Sequence, residues 1–171
     1  MSEHFDPRAL WKVSYGLYVV TSRSADGKPN GQIANTVFQV TAEPPQVAVA
    51  INKGNFTHRC IEESKAFAVS VLSQEAPMKF IGLFGFRSGR DIDKLSQVEH
   101  KAGRTGAPVV LDYALSFFEV EVKEAVDLGT HTLFVGEVVA GEPLGEGIPL
   151  TYADYREKKK GKTPETAPTH R

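Results

Sequence analysis

The chain has 171 residues, a length that fits one domain with a hydrophobic core of its own. Its 20 lysine and arginine residues and 21 acidic residues give a formal net charge of −1, which argues against a general nucleic-acid binder. A single cysteine, Cys60, excludes an intrachain disulfide, and neither a signal peptide nor a membrane-length apolar run is visible. We therefore expect a cytoplasmic protein that binds neither nucleic acid nor a membrane.

The first predicted element is a short helix, because Asp6 and Pro7 supply an N-cap acceptor and a proline in the first turn. Runs rich in β-branched and aromatic residues then predict strands at residues 17–22, 32–41, 47–51 and 67–72. Between the last two of these strands a helical period begins at Thr57. Ser73 is the predicted N-cap of a further helix, which ends at Gly85.

The second half of the chain is dominated by a predicted hairpin. Residues 114–126 alternate apolar and charged side chains, which is typical of a strand with one face in a core and one in water. A turn at residues 127–130 leads into a partner strand at residues 133–139. With six or more short strands and few helices, the chain is predicted to be mainly β, an antiparallel barrel with helices on its outside.

Residues 156–171 differ in composition from the rest of the chain. They contain several lysines and two prolines and almost nothing apolar, so we divide the chain into a domain at residues 1–155 and a tail at residues 156–171. We expect this tail to be mobile, or ordered only against a partner. Its lysines are suited to attract an acidic electron carrier, although a plain solvated tail explains them as well.

No dinucleotide fingerprint, phosphate loop, zinc-binding helix or nucleophile elbow is present, so a nucleotide would be held in another way. Residues 30–36 carry amides and hydroxyls suited to the edge of a planar heterocycle. Residues 52–57 join a strand end to a helix start, and residues 88–94 hold two cations, so both suit a phosphate. His131 follows a hairpin turn, where it is able to donate a hydrogen bond to a substrate. Taken alone, each of these stretches fits an ordinary turn, charged loop or edge strand at least as well.

Taken together and in order, five segments resemble the flavin reductase-like family of FMN-binding split barrels. They are GLYVVTS (16–22), NGQIANTVFQVT (30–41), INKGNFTH (51–58), SGRDIDK (88–94) and GTHTLFVGEV (129–138). The likeness spans roughly residues 5–169 and is greatest to flavoredoxin and to the flavin domain of high-molecular-weight rubredoxins. It implies an antiparallel, Greek-key-like split β-barrel that forms a homodimer with one FMN per subunit.

The resemblance also implies roles for twelve residues, none of them a metal ligand. The residues expected to line the flavin ring are Gln32, Ala34, Asn35 and Thr36. Those expected near the ribityl chain and phosphate are Asn52, Lys53, Asn55 and Thr57, and those completing the phosphate end are Ser88, Arg90 and Lys94. His131 matches the family's histidine on the nicotinamide side.

The implied function is that of an FMN-dependent oxidoreductase, in which NADH or NADPH gives a hydride to the flavin and a flavin, rubredoxin or other acceptor takes the electrons. The alternative is a flavoredoxin-type electron carrier, reduced by a protein partner. Split-barrel oxidases of pyridoxamine phosphate and split-barrel haem binders fit the segments less well. Because Cys60 is the only cysteine, an iron centre receiving the electrons would lie on a separate rubredoxin or ferredoxin-like protein.

Overall fold

The computed structural model describes residues 4–170, which form one seven-stranded antiparallel sheet, a small two-stranded sheet and a few helices. The strands are β1 (Tyr18–Arg23), β2 (Pro29–Ala34), β3 (Val37–Ala42), β4 (Pro45–Asn52), β5 (Ala66–Leu72), β6 (His100–Ala102), β7 (Pro108–Val110), β8 (Ala114–Asp127) and β9 (His131–Pro143). The α-helices are α1 (Phe56–Ser64), α2 (Met78–Gly85) and α3 (Tyr152–Glu157), and 3-10 helices cover Pro7–Lys12 and Leu95–Gln97. No helix among these residues is long and apolar enough to cross a membrane.

The order of the large sheet, β2-β1-β5-β8-β9-β4-β3, puts two consecutive strands at its opposite edges. Only Asn35 and Thr36 separate the end of β2 from the start of β3. Laid flat, seven strands would put their edges roughly 29 Å apart, whereas three Cα steps reach roughly 11 Å. The sheet therefore curls until its edges meet, which makes a barrel split between β2 and β3. The prediction of a mainly β, antiparallel split barrel is confirmed.

The single strand predicted over residues 32–41 is wrong. The chain breaks at Asn35 and Thr36, because β2 pairs with β1 at one edge whereas β3 pairs with β4 at the other. Ser73 does not cap α2 either. Pro77 holds the N-cap position, and Ser73 Oγ instead accepts a hydrogen bond from the Glu75 backbone amide at 3.1 Å. The first predicted helix is a 3-10 helix, and the Asp6 side chain caps it by accepting from the Arg8 amide.

Apolar side chains pack on both faces of the sheet. Inside the barrel, residues such as Val49, Phe67 and Phe134 form one buried cluster. On the outside, α2 and α3 cover a second cluster that includes Phe84 and Tyr155. Because both faces are covered, six of the seven residues of β5 are buried. This packing holds α2 and the C-terminal part of the chain beside β2.

The C-terminal residues fold back over the barrel instead of leaving it. Helix α3 runs across the predicted boundary at residue 155, and Gly161 follows it in close contact with Tyr155. A Cβ atom at Gly161 would lie 2.1 Å from Tyr155 Cζ, so no larger residue fits there. Tyr155 Oη donates to the Lys162 carbonyl at 2.6 Å, and the hydroxyls of Tyr152 and Thr163 are hydrogen-bonded.

Beyond these anchors the chain makes two successive β-turns, closed by the Ala167 amide on Pro164 O (3.0 Å) and the His170 amide on Ala167 O (3.1 Å). We call residues 162–169 the C-terminal strap. The expectation of a mobile tail, or one ordered only by a partner, is wrong, because buried tyrosines and proline-containing turns order it against its own domain. The division of the chain into residues 1–155 and 156–171 stays a prediction.

Candidate functional site

A cavity of about 350 Å³ lies beside the split of the barrel. Its walls come from β2, from the end of β4 and the start of α1, from α2 and the loop after it, and from the C-terminal strap. Small-molecule sites in proteins are usually concave and of roughly 300–1,000 Å³. The cavity therefore has the size of a site for one organic ligand.

Nine of the twelve residues singled out in the sequence line this cavity. They are Gln32, Ala34, Asn35, Asn52, Asn55, Thr57, Ser88, Arg90 and Lys94. These nine come from three separate stretches of the chain, which the curled sheet brings together. Their roles toward a ligand stay predictions, but their convergence on one cavity is a property of the fold.

Three of the twelve residues lie outside the cavity wall. Thr36 donates from Oγ1 to Asn35 Oδ1 at 3.2 Å and lines a groove by β3 instead. Lys53 pairs through Nζ with Asp127 at 2.6 Å, because the turn after β4 packs against the turn of the β8–β9 hairpin. The expected approach of Lys53 to a phosphate is therefore not supported. His131 begins β9 opposite Asn52 and stands at the rim.

Side-chain amides join β2 to the start of α1 across the cavity floor. Asn30 Nδ2 donates to Thr57 Oγ1 at 2.8 Å, and Asn55 Nδ2 donates to Gln32 Oε1 at 3.1 Å. Asn30 and Thr57 are both buried. These bonds hold the amide-rich strand and the helix N-terminus in one fixed arrangement.

The N-terminus of α1 and Arg90 form a positive corner of the cavity. Asn55 occupies the N-cap position of this nine-residue helix without making a side-chain cap hydrogen bond. Arg90 Nη1 donates to the Gly54 carbonyl at 3.2 Å, and its guanidinium stands 5.5 Å from the centre of the Phe56 ring. A helix N-terminus and a guanidinium side by side suit a phosphate group.

The loop that carries Arg90 approaches β2 closely. A Cβ atom at Gly89 would lie 1.8 Å from Asn30 Oδ1, so this position requires glycine. The Arg90 amide donates to Ser88 Oγ at 3.2 Å, which tightens the turn. The S-G-R sequence thus combines a tight turn, a close approach and a cation.

Lys94 lies under the same corner and is only 3% exposed. Its Nζ donates to the Gly31 carbonyl at 2.8 Å and contacts the Phe84 carbonyl at 3.4 Å. Burial disfavours the charged amine and lowers the pKa of Lys94 to about 8. An anion in the cavity would reverse part of this effect.

The charged residues on the cavity wall all have one sign. Four cations line it, Arg87, Arg90, Lys94 and Lys162, and the lining found among residues 4–170 includes no aspartate or glutamate. No group of three or more His, Cys, Asp or Glu side chains in that part of the chain is placed to hold a metal ion. The cavity is therefore suited to an anionic organic molecule.

The strap hydrogen-bonds to two of the twelve residues, Asn35 and His131. Asn35 Nδ2 donates to Thr169 Oγ1 at 2.6 Å. His131 Nε2 lies 3.1 Å from the Thr166 carbonyl, and its Nδ1 lies 2.8 Å from Thr130 Oγ1.

Sequence reasoning missed the strap and the two tyrosines of α3 that anchor it. Pro164, Pro168 and Gly161 were the available signals, since proline and glycine at this spacing are typical of ordered turns.

Fold and cavity together define a split-barrel protein with a cation-lined cavity of ligand size beside the split. A profile of the flavin reductase like domain matches residues 10–161. The chain therefore belongs to the flavin reductase-like family, and the resemblance seen in its five segments is confirmed.

Relatives match over nearly the whole chain. A ferric-chelate reductase (NAD(P)H) of Archaeoglobus fulgidus is 55% identical over 162 residues, covering 95% of each chain. A high molecular weight rubredoxin of Moorella thermoacetica is 46% identical over 96% of this chain and 71% of its own. Among solved structures, an FMN-binding protein from Thermus thermophilus superposes with a TM-score of 0.76 at 28% identity, covering 89% of each chain.

Proposed function

We propose that this protein is an NAD(P)H-dependent flavin oxidoreductase that holds FMN in the cavity and passes electrons to a flavin, a rubredoxin or another acceptor. The observation that carries the proposal is the cavity wall, which combines an amide-rich strand with four cations. A flavin mononucleotide has the matching chemistry, a planar heterocycle with donors and acceptors at one end and a phosphate at the other.

The side chains that line the cavity match the polar groups and the negative charge of this ligand. Arg90, Lys94 and the N-terminus of α1 would hold the phosphate. Gln32 and Asn35 would face the polar edge of the ring system. When bound, the flavin supplies the redox chemistry by accepting a hydride from a reduced nicotinamide, and the protein supplies position and electrostatics. Ser88, Asn52, Asn55 and Thr57 remain proposed contacts to the ribityl chain and phosphate.

His131 is the proposed residue on the nicotinamide side. Because a carbonyl oxygen only accepts hydrogen bonds, the contact with Thr166 requires a proton on His131 Nε2. The imidazole would therefore have to exchange its Thr166 contact for the carboxamide or phosphate of an approaching nucleotide in order to orient it.

The relatives support the same class of reaction. The Archaeoglobus protein is named for NAD(P)H and ferric chelate, and the Thermus protein for FMN. The Moorella relative is a rubredoxin, which supports a separate rubredoxin or ferredoxin-like protein as one acceptor. We also propose a cytoplasmic location, since reduced nicotinamide nucleotides are the proposed electron source.

We further propose that the protein is a homodimer. Apolar side chains are exposed on the N-terminal 3-10 helix and on edge strand β3, where Leu10, Phe38 and Val40 are each about half accessible. A groove lined by residues 13–16, 36–38 and 149–151 lies between these two surfaces. An exposed apolar edge strand is a surface that folded proteins usually cover.

A flavoredoxin-type electron carrier, reduced by a protein partner, is the second candidate function. It is favoured by the strap, whose Thr166 carbonyl occupies His131 Nε2 on the side proposed for the nicotinamide. Under this proposal the protein would hold FMN yet react slowly with either nucleotide.

The first experiment is a visible spectrum of the purified protein, followed by anaerobic addition of NADH and then NADPH. Rapid bleaching of a yellow protein by one nucleotide supports the oxidoreductase and identifies its donor. A yellow protein that neither nucleotide bleaches supports the carrier. A colourless protein that takes up no added FMN contradicts both proposals.

Arg90→Met tests the phosphate corner, and Lys53→Met is its matched control, because Lys53 carries the same charge outside the cavity. Loss of a charged hydrogen bond should weaken FMN binding about 10- to 100-fold in Arg90→Met and leave Lys53→Met near the parent protein. Riboflavin, which lacks the phosphate, should bind the parent protein and Arg90→Met alike. Equal FMN affinities of the two variants, measured by fluorescence titration, would place the phosphate elsewhere.

A further inference from the structure

We propose that the C-terminal strap, residues 162–169, is a wall of the flavin site that retains the nucleotide as a resident cofactor instead of a released product. This inference rests on the proposed flavin function and adds that the flavin stays bound for a long time. It also assigns a role to residues that the motifs of the chain do not include.

The cavity exists with the strap in place. Six strap residues contribute to its lining, namely Lys162, Thr163, Pro164, Thr166, Ala167 and Pro168. A ligand therefore fits under the strap without displacing it. Pro164, Ala167 and Pro168 add apolar surface, which suits the face of a planar ring system, and Lys162 adds a cation to the wall.

The strap is held by hydrogen bonds to its own domain and by its own turns. At its near end, Lys162 O accepts from Tyr155 Oη, and Arg156 Nη1 donates to Gly161 O at 3.0 Å. At its far end, Thr169 Oγ1 accepts from Asn35 Nδ2. Two proline-containing turns lie between these ends. A wall held by contacts of its own costs little conformational entropy on binding.

The strap also positions two side chains of the site. The Thr166 carbonyl fixes the Nε2–H form of His131, and Thr169 fixes the direction of the Asn35 amide. With its nitrogen directed to the strap, Asn35 presents Oδ1 to Thr36 Oγ1 at 3.2 Å. The strap thus supplies one of the two hydrogen-bond partners of each side chain, the other being Thr130 for His131 and Thr36 for Asn35.

Truncating the chain after Thr163 tests the wall separately from the residues that anchor it. This truncation keeps the bonds of Tyr152, Tyr155 and Arg156 to residues 161–163 and removes the rest of the strap. We expect FMN to dissociate about tenfold faster or more from the shortened chain, because lost contacts act mainly on dissociation. Stopped-flow displacement of FMN by excess riboflavin measures this rate. Matching far-ultraviolet circular dichroism establishes that both chains are folded.

Point variants refine the test. Thr169→Val removes the acceptor for Asn35 and should raise the FMN dissociation rate, whereas Thr169→Ser retains the hydroxyl and should not. Glu165→Gln is the control, because Glu165 is an exposed strap residue outside the cavity lining. A second readout needs no flavin. The ¹⁵N resonances of His131 should report one Nε2–H tautomer in the intact chain and a mixture in the shortened one.

The outcomes separate the two proposals. Failure of the intact and shortened chains to bind any flavin overturns the flavin function, and with it the flavin wall. Equal dissociation rates in two chains that both bind FMN overturn the wall alone. Slower dissociation from the shortened chain also overturns it, because the strap would then obstruct the site. An unchanged His131 tautomer overturns the positioning role.

Discussion

Lys94 is a buried lysine that hydrogen-bonds to backbone carbonyls. The ion pairs found among residues 4–170 do not include it, and burial lowers its pKa to about 8. An anionic ligand favours the charged form, so FMN affinity should fall as pH rises through about 8. Fluorescence titrations from about pH 7 to 9 measure this slope. Lys94→Met should bind more weakly and show a smaller slope, and a slope unchanged in that variant would contradict the argument.

The same pKa shift affects the flavin-free protein in the opposite sense. The unfolded chain keeps its lysine proton up to about pH 10.5, whereas the folded chain releases it near pH 8. Between these values the unfolded state binds more protons, so this residue makes folding more favourable as pH rises. The free energy of unfolding of the parent should therefore rise relative to that of Lys94→Met between about pH 8 and pH 10.5.

At the scale of residues, the sequence indicated the chemistry of the site better than its geometry. Amides at residues 30–36 and cations at residues 88–94 were recognisable from residue type and order. The position of Lys53 was not, because its partner Asp127 is remote in sequence and approaches only when the β8–β9 hairpin folds onto β4. Long-range pairing of this kind leaves no local signal.

At the scale of elements, β8 supports a neighbouring loop through a buried carboxylate. Glu119 accepts hydrogen bonds from the Arg104 and Thr105 amides, each at 2.9 Å, and from Thr105 Oγ1 at 2.7 Å. Glu119→Ala leaves these donors without their acceptor and should lower the free energy of unfolding by about 2–4 kcal/mol. Urea denaturation measures the loss.

Two variants control this prediction. Glu119→Gln keeps one accepting oxygen and should lose less stability than Glu119→Ala. Glu121→Ala changes an exposed residue of the same strand and should stay within about 0.5 kcal/mol of the parent. Similar losses in Glu119→Ala and Glu121→Ala would mean that the carboxylate does not hold the loop.

Elements with a strong pattern were predicted and weakly patterned ones were not. The alternation of β8 and the apolar runs of β4 and β5 gave strands close to those observed. Strands β6 and β7 have three residues each, too few for a period to appear. The break between β2 and β3 was missed because it is imposed by pairing with different partners, which no window of sequence contains.

At the scale of the whole molecule, the proposed dimer can be tested by charging its surface. Val40 on β3 is 48% exposed and Val126 at the far end of β8 is 42% exposed, so the two are a matched pair. Val40→Lys should shift the protein toward monomer, because a charge would be buried against a second copy. Val126→Lys should leave the mass unchanged. Sedimentation velocity measures both, and dimers of equal stability would exclude this face.

The four walls of the cavity are far apart in the sequence, the first near residue 30 and the last near residue 168. Without a ligand, each wall is free to open by its own local fluctuation. A molecule bound between them contacts all four walls. Opening one wall would break its contacts with that molecule and weaken the hold of the molecule on the other three. Filling the cavity would thus turn independent local fluctuations into a single cooperative one. Backbone amides of β2 and of the strap would then exchange with hydrogen from water at a common rate.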